Sequence, residues 1–305
     1  MASDGLLIVD KPAGPTSHDI VQKVRQLLGT RRVGHGGTLD PAATGVLLVA
    51  AGQATRFFPY LSKENKVYEG RIRLGFATDT YDASGRPDAE ECRDLPSIYK
   101  LIPAMKAFEG GILQTPPRYS AKKLGGRPVH RLARAHKEFA LEPSAVTVVR
   151  FTLRAYRPPF VDFEAECSAG TYIRSLAHDL GRRLGCGAHL DALRRTAVGP
   201  YTLSDAVPLA ELEEAAARGE AARHILPLER LLPWIPAVTV LAEAEVRVRN
   251  GSPLEPTDLA APQSGMALSS AGTSLVRLFS GSGKLLALAR PSPDGVRLRP
   301  FLVIS

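Results

Sequence analysis

The sequence predicts an α+β fold in which strands from several parts of the chain form one central mixed or antiparallel sheet, with helices packed against it. Residues 16–28, TSHDIVQKVRQLL, place their apolar side chains on one face of a helix. Residues 66–75, KVYEGRIRLG, alternate in the manner of a half-buried strand. After residues 231–238 the chain changes to short strand-like runs, which indicate a small C-terminal β domain. We therefore expect one domain over residues 1–234 and a second over residues 235–305.

The first predicted helix leads into a glycine-rich loop. Thr16 or Ser17 is expected to cap this helix, and Gly29 follows its last turn. The loop, GHGGTLDPAATG, carries Asp40 and runs into GVLLVAAG, whose length and flanking glycines are typical of a buried strand. Asp40 is thus predicted to be held between two packed elements.

A second strand and helix follow later in the chain. Residues 161–167, VDFEAEC, alternate as a strand does, and after Gly170 the apolar spacing predicts a helix. Arg174 falls in the first turn of that helix, where the helix dipole disfavours a positive charge unless a carboxylate lies nearby. The sequence therefore indicates an acidic partner for Arg174.

Composition limits the class of protein. The chain has 305 residues, 44% of them hydrophobic, which is enough for about two globular domains. Its three cysteines form no CxxC pair, and an odd count of this kind is typical of a reducing compartment. The longest apolar run, around residues 46–51, is far shorter than the ~20 residues of a membrane-spanning helix. We expect a soluble, cytoplasmic protein with no membrane partner.

Positive charge is concentrated in one segment. The formal net charge is +8 and the pI is near 9.5, a balance that favours a polyanionic partner. Residues 115–137 contain seven Lys or Arg residues, two His and no acid. Two interpretations stay open: a basic surface insertion without a partner, or an arm at about residues 110–140 that follows RNA phosphates, with Tyr119 available for stacking. The basic residues that open this arm are Arg118, Lys122 and Lys123.

Several kinds of chemistry lose support from the motifs. HEXXH, HxE with PCxxC, GxGxxG after a strand and GxSxG are all missing, which disfavours zinc hydrolysis, zinc deamination, dinucleotide redox chemistry and serine acyl transfer. The GSGK at residues 281–284 lacks the earlier glycine of a phosphate-binding loop. A single carboxylate, Asp40, remains on a loop slim enough for a bulky ligand to approach. Asp-Pro is also common in glycine-rich turns that have no catalytic role, so a purely structural role for Asp40 stays open.

Five ordered segments between about residues 5 and 200 closely resemble the TruB family, the bacterial tRNA pseudouridine-55 synthases. They are LLIVDKPAGPTSHDIV, GHGGTLDPAATGVLLVAAGQATR, KVYEGRIRLGFATDTYDASG, PPRYSAKKLGGRPVHRLAR and GTYIRSLAHDLGRRLGCGAHLDALRRT. The family's usual Thr or Ala after the histidine is Gly36 here. The tail resembles the small RNA-binding PUA module, which implies a barrel-like β domain.

The resemblance implies isomerisation of uridine 55 in the TΨC loop of tRNA to pseudouridine, with base flipping and without cofactor or metal. We expect a monomer, and the sequence leaves the oligomeric state open. Asp40 would act at the ribose, and Arg174 would hold it in a bidentate pair and lower its pKa. Tyr68, which its strand pattern alone places in the core, would stack on the extruded uracil and stand near C5 as a weak candidate base. The resemblance also implies that His35 fills the space that the extruded uracil leaves, and that Tyr172 and Leu193 line the pocket for the uracil. Lys11 would either support the loop or reach a phosphate.

Two other functions stay open from the sequence. One is a non-catalytic RNA-binding or RNA-chaperone protein, in which the basic arm and the tail suffice and Asp40 only closes a turn. The other is a pseudouridine synthase that acts on a different RNA.

Overall fold

The computed structural model describes residues 4–117, 119, 123–124, 127–128, 141–260, 275–293 and 296–304. The helices are α1 (Ser17–Leu28), α2 (Phe58–Leu61), α3 (Ile98–Lys106), α4 (Ile173–Leu184), α5 (Leu209–Ala217) and α6 (Glu245–Arg249). The strands are β1 (Gly5–Lys11), β2 (Val33–Gly36), β3 (Thr44–Ala51), β4 (Lys66–Leu74), β5 (Gly110–Gln114), β6 (Lys123–Leu124), β7 (Arg127–Pro128), β8 (Ser144–Arg157), β9 (Phe160–Cys167), β10 (Ala188–Val198), β11 (Tyr201–Thr202), β12 (Val207–Pro208), β13 (Leu226–Pro227), β14 (Ala237–Thr239), β15 (Val276–Phe279), β16 (Leu285–Pro291) and β17 (Leu298–Val303).

The larger sheet has eleven strands and draws on most of the first 227 residues. Its main path runs β12-β1-β3-β10-β4-β9-β8-β5, with β2, β11 and β13 attached at its sides. Most neighbours are antiparallel, but β1 pairs with β12 and β3 pairs with β10 in parallel. This mixed sheet confirms the predicted fold class. It also places β3, which follows the Asp40 loop, next to β10 and close to β4.

Helices cover one face of this sheet. The buried faces of α1, α3, α4 and α5 join inward side chains of β1, β3, β4 and β9 in one hydrophobic core. The predicted alternation of β4 and β9 is confirmed, because Tyr68, Ile72, Phe163 and Ala165 are all buried there. Burial of a side chain as large as Ile72 or Phe163 contributes about 1.5–3 kcal/mol. The packed sheet therefore supports the loops at the ends of its strands.

The ends of α1 follow the predicted signals. Thr16 is the N-cap: its hydroxyl accepts the Asp19 amide N–H at 3.1 Å, and its own amide N–H donates to the Asp19 carboxylate at 2.8 Å. At the other end Gly29 adopts φ +61, the left-handed conformation that glycine reaches without strain. Each cap is worth roughly 1 kcal/mol. The capped helix fixes where the chain enters the next loop.

The described part of the tail forms an open four-stranded sheet, in the order β14-β15-β16-β17, rather than a closed barrel. Its inner side packs against the face of the large sheet that the helices leave free, since Leu288 and Leu302 share a core with Leu6, Val46 and Leu48. We propose residues 235–305 as a structural unit whose core is completed by the first 234 residues. The predicted arm at 110–140 begins within β5, an edge strand of the large sheet. No helix among the described residues is long and apolar enough to cross a membrane.

Candidate active site

The Asp40 loop connects β2 to β3 and is fixed by backbone contacts at both ends. The Asp40 carbonyl accepts the Ala43 amide N–H at 3.0 Å, which closes a tight turn. Gly45, at φ +101, is the residue that permits the return into β3, because a Cβ there would lie 2.1 Å from the Arg195 carbonyl oxygen on β10. Only glycine satisfies both the positive φ and this close approach.

Two buried polar side chains, those of Lys11 and Ser17, form hydrogen bonds with the backbone of the loop. The Lys11 ammonium donates to the carbonyl oxygens of Pro12, Pro41 and Ala43 at 2.8, 3.1 and 2.7 Å. The Ser17 hydroxyl, at the start of α1, accepts the Leu39 amide N–H at 2.9 Å and lies 3.1 Å from the Leu39 carbonyl oxygen. Lys11 is fully buried, so of its two expected roles the structure shows support of the loop.

Arg174 has the acidic partner that its place in the first turn of α4 predicted, namely Asp40. Its Nε lies 2.9 Å from Asp40 Oδ2 and its Nη2 donates to Asp40 Oδ1 at 3.1 Å, a bidentate pair. The same guanidinium donates to the Tyr119 carbonyl oxygen at 2.9 Å and to that of Thr80 at 3.3 Å, and its Nη1 lies 3.5 Å from the Asp82 carboxylate. Its side chain is 8% exposed, so its orientation is set by these partners.

Arg174 lowers the pKa of Asp40 as expected, but the net shift of that pKa is upward. Burial in the site raises the pKa of Asp40 above its ordinary value, and the opposing charges of Arg174 and Lys11 reverse only part of that rise. Asp82 adds to it, because a second carboxylate nearby disfavours ionisation. Desolvation outweighs the ion pair, and Asp40 is a more basic carboxylate than an exposed one.

A cavity of about 580 Å³ opens beside this ion pair. The sequence-predicted residues that line it are Asp40, Tyr68, Tyr172, Arg174 and Leu193. They come from the loop before β3, from β4, from the start of α4 and from β10, so the sheet order brings four distant segments together. The cavity is large enough for a nucleobase with its sugar, since ligand sites of this kind commonly measure about 300–1,000 Å³.

Tyr68 and Tyr172 are held in different ways. Tyr68 is 8% exposed, and burial raises the pKa of its phenol despite the Arg195 guanidinium beside it. That direction weakens the case for Tyr68 as a base at neutral pH. The backbone of Tyr172 is fixed by the buried Gln114, whose amide accepts the Tyr172 N–H at 2.7 Å and donates to its carbonyl oxygen at 3.0 Å.

Other predicted residues lie elsewhere. His35 sits on β2, paired with Val49, and does not reach the cavity wall. Burial and the positive charge of Arg195 lower the pKa of His35, so the ring is neutral at pH 7. Arg118 and Lys122 lie outside the described residues, and Lys123 is described only as backbone in the short strand β6.

Sequence reasoning missed three charged residues of the site. Asp82 lies next to Arg174, while Lys66 and Arg195 line the cavity and are almost fully buried. The signal for Lys66 was present in its place at the start of an alternating strand, two residues from Tyr68 on the same face. Within the described ranges, no group of three or more His, Cys, Asp or Glu side chains is arranged to hold a metal ion.

Comparison with known proteins places the chain in a family. Residues 25–173 match the model of the TruB family pseudouridylate synthase N-terminal domain, and residues 174–233 match the tRNA pseudouridylate synthase B C-terminal domain. The chain belongs to the TruB family of pseudouridylate synthases.

Relatives in this family match over nearly the whole chain. The tRNA pseudouridine synthase B of Syntrophobacter fumaroxidans is 43% identical over 302 residues, which cover 97% of each chain. That of Thermobifida fusca is 44% identical over 296 residues, 94% of each chain. Among solved structures, an H/ACA RNP bound to a substrate RNA containing 2′-deoxyuridine matches with a TM-score of 0.74 at 27% identity, over 99% of this chain and 85% of that chain.

Proposed function

We propose that this protein converts uridine 55 in the T stem-loop of tRNA to pseudouridine, with Asp40 as the essential group. The observation that carries the proposal is the Asp40 carboxylate, fixed by a bidentate pair with a buried arginine at the wall of a nucleotide-sized cavity. Family membership supports the reaction class, and the names of the relatives support tRNA as the substrate.

The reaction needs a carboxylate next to the ribose. The N1–C1′ bond breaks with its electron pair going to the uracil, and positive charge develops on the sugar, where Asp40 either attacks C1′ or stabilises the charge. The base then turns within the cavity, C5 bonds to C1′, the C5 proton leaves and N1 gains a proton. Burial raises the pKa of Asp40, whereas the charges of Arg174 and Lys11 favour its ionised form.

The target nucleotide must leave the loop stack before this chemistry. Extrusion costs a few kcal/mol. Tyr68 and Tyr172 line the cavity, and stacking on an aromatic ring returns about 1–3 kcal/mol per base. Leu193 and the Asp40 loop also line this cavity, which would receive the base. Arg118, Lys122 and Lys123 would hold phosphates of the stem, since positive charge supplies most of the affinity for RNA.

Release of tritium from C5-labelled uridine in a tRNA transcript tests the proposal. We expect the wild type to release label from position 55 and the variant Asp40→Asn to be slower by at least ~10³-fold, about 4 kcal/mol of barrier. Affinity for tRNA should stay unchanged, because Asn keeps the shape of the side chain. Pseudouridine formed at full rate by Asp40→Asn contradicts the role of Asp40, and a wild type that binds tRNA without releasing label is a non-catalytic RNA-binding protein.

The same transcript tests the RNA and the arm. Replacing uridine 55 by cytidine should abolish label release, whereas label release from other positions would indicate a synthase for another site. Lys122→Ala combined with Lys123→Ala should weaken tRNA binding and make log Kd less dependent on log salt, by roughly 1–2 in slope. An unchanged slope removes these lysines from the RNA interface.

A further inference from the structure

The charges that line the cavity do not balance. Arg174 faces the carboxylates of Asp40 and Asp82. Lys66 and Arg195 line the same cavity, and neither has a carboxylate within 4 Å among the described residues. Two of these three cations therefore have no carboxylate in contact, and the named charges sum to one positive charge.

Lys66 is fixed where β4 begins. It is 5% exposed, and its ammonium donates to the carbonyl oxygens of Ser62 and Glu64 at 2.6 and 2.5 Å. Ser62 itself lines the cavity. An ammonium has three N–H groups, and within the described part of the chain the third has no hydrogen-bond acceptor. Lys66 thus has one donor available to a ligand in the cavity.

Arg195 lies on the next strand, opposite Tyr68 in the register of β10 and β4. It is 1% exposed; its Nε donates to the Val46 carbonyl oxygen at 2.7 Å and its Nη2 to that of Gly37 at 3.1 Å. These contacts hold the guanidinium rigidly beside the Tyr68 ring. The two cations therefore flank the surface on which the uracil is proposed to stack.

Burying two cations with no carboxylate in contact carries a desolvation cost, and negative charge that develops in the cavity would offset part of it. Burial and the charge of Arg195 lower the pKa of Lys66 to about 8. The other groups facing Lys66 change this little: Cys167 on β9 has a pKa raised to about 11, and Glu64 is a partly buried carboxylate on the preceding turn. Lys66 is therefore mostly protonated at pH 7 and loses its charge above about pH 8.

We propose that Lys66, together with the neighbouring cation Arg195, stabilises the negative charge that the uracil acquires when the N1–C1′ bond breaks. This inference rests on the proposed isomerisation. The bond's electron pair goes to N1 and is shared with the O2 and O4 oxygens, and the free ammonium N–H of Lys66 donates to the base in that state. Once C5 has bonded to C1′ and its proton has left, N1 is reprotonated and the charge disappears. Fixed donors of this kind act on the transition state more than on the neutral substrate.

Lys66→Met tests this assignment, because methionine keeps the length of the side chain and removes its charge. We expect the single-turnover rate at saturating enzyme to fall about 10²-fold, as when one donor to a developing anion is removed. Affinity for tRNA should change less than about threefold, since the neutral ground state gains little from the cation. Lys66→Arg, which keeps the charge, should recover most of the rate. Lys63→Met is the matched control, because Lys63 is exposed on the same turn, and its rate should equal that of the wild type.

The pH profile gives a readout that a purely structural role would not produce. The wild-type rate should fall tenfold per unit above about pH 8, where Lys66 loses its proton. Lys66→Met should lack that descent. Thermal unfolding shows whether each variant is folded. If Lys66→Met is unfolded, the rate of Lys66→Arg and the pH profile of the wild-type rate test the assignment instead.

Three results overturn the assignment. The first is a Lys66→Met rate within threefold of the wild-type rate, and the second is a wild-type rate that is independent of pH between 7 and 10. The third is a Lys66→Met variant that loses tRNA affinity but keeps its rate, which would make Lys66 a phosphate contact. An inactive wild type would instead refute the proposed function itself.

Discussion

The Asp40 carboxylate and the Arg174 guanidinium meet through two contacts, of 2.9 and 3.1 Å, although 134 positions separate them in the chain. One partner sits on a loop between two strands and the other in the first turn of α4. The pair is stabilised by further acceptors on Arg174, namely Asp82 and two backbone carbonyl oxygens. Its geometry, rather than charge alone, sets the position of the carboxylate.

Arg174→Lys should lower the rate about 10²-fold, because a lysine cannot form the bidentate pair and a shift of about 1 Å in the carboxylate costs that much. The free energy of unfolding should also fall, since several buried acceptors lose their donors. Single-turnover label release and urea denaturation measure the two effects. Asp82→Asn is the comparison variant: it leaves the Asp40 pair intact and should lose less of the rate. Equal rates for Arg174→Lys and wild type contradict the positioning role.

The pKa of Asp40 predicts a pH dependence in both activity and stability. In the proposed reaction Asp40 acts as an ionised carboxylate. Because burial raises its pKa, the rate should begin to fall with decreasing pH at a pH above the ordinary value of 3.8. In the folded state the proton is bound more tightly than in the unfolded chain, so ionisation of Asp40 destabilises the native state as pH rises through these pKa values. Asp40→Asn should therefore be at least as stable as the wild type at pH 7. A clearly lower melting temperature for Asp40→Asn would mean that the ion pair outweighs desolvation.

Tyr68 can be separated into its ring and its hydroxyl. Tyr68→Phe should bind tRNA within about threefold of the wild type, whereas Tyr68→Leu should bind about 5- to 150-fold more weakly, the loss of ~1–3 kcal/mol of stacking. Burial raises the pKa of the phenol, so we expect no rise in rate between pH 7 and 9 from phenolate formation. A tenfold rise per pH unit that Tyr68→Phe abolishes would identify the phenolate as the base.

Gly45→Ala should destabilise the protein more than Gly14→Ala, although both glycines have nearly the same φ angle. Their φ angles are +101 and +107, so each alanine meets strain of roughly 1–3 kcal/mol. A Cβ at Gly45 would also lie 2.1 Å from the Arg195 carbonyl oxygen, while nothing lies within 4 Å of one at Gly14. The free energy of unfolding in urea measures the difference. Equal losses would show that β3 and β10 can move apart without cost.

The core shared by the two sheets predicts a single unfolding transition. Leu288, in the tail, is fully buried in that core together with Leu6 and Val46. Leu288→Ala should lower the free energy of unfolding by about 2–5 kcal/mol and shift one cooperative transition. Phe301→Ala, at a partly exposed site on the adjacent strand, should cost less. Two transitions in calorimetry, of which only one moves, would show that residues 235–305 are an independent domain.

Much of the fold followed from local patterns, and the site followed only in part. Capping signals and alternation were enough for α1, β4 and β9, because those elements obey regular periods. The position of Arg195 was not accessible in this way, since β10 is bulged beside it, between Arg195 and Ala197, and a bulge breaks the two-residue alternation. The direction of the Asp40 pKa was missed because burial depends on the surrounding walls, which the sequence near residue 40 does not reveal.

The distance along the chain between residues 40 and 174 has a consequence for synthesis on the ribosome. When the loop with Asp40 has emerged, its arginine has not yet been translated, and at ~5–20 residues per second several more seconds pass before the two can meet. The nascent protein can therefore present its early helix and strands before the proposed reaction centre is assembled. If Asp40 and Arg174 act as proposed, label release begins only after α4 has docked, so label release by translation intermediates would report completed folding.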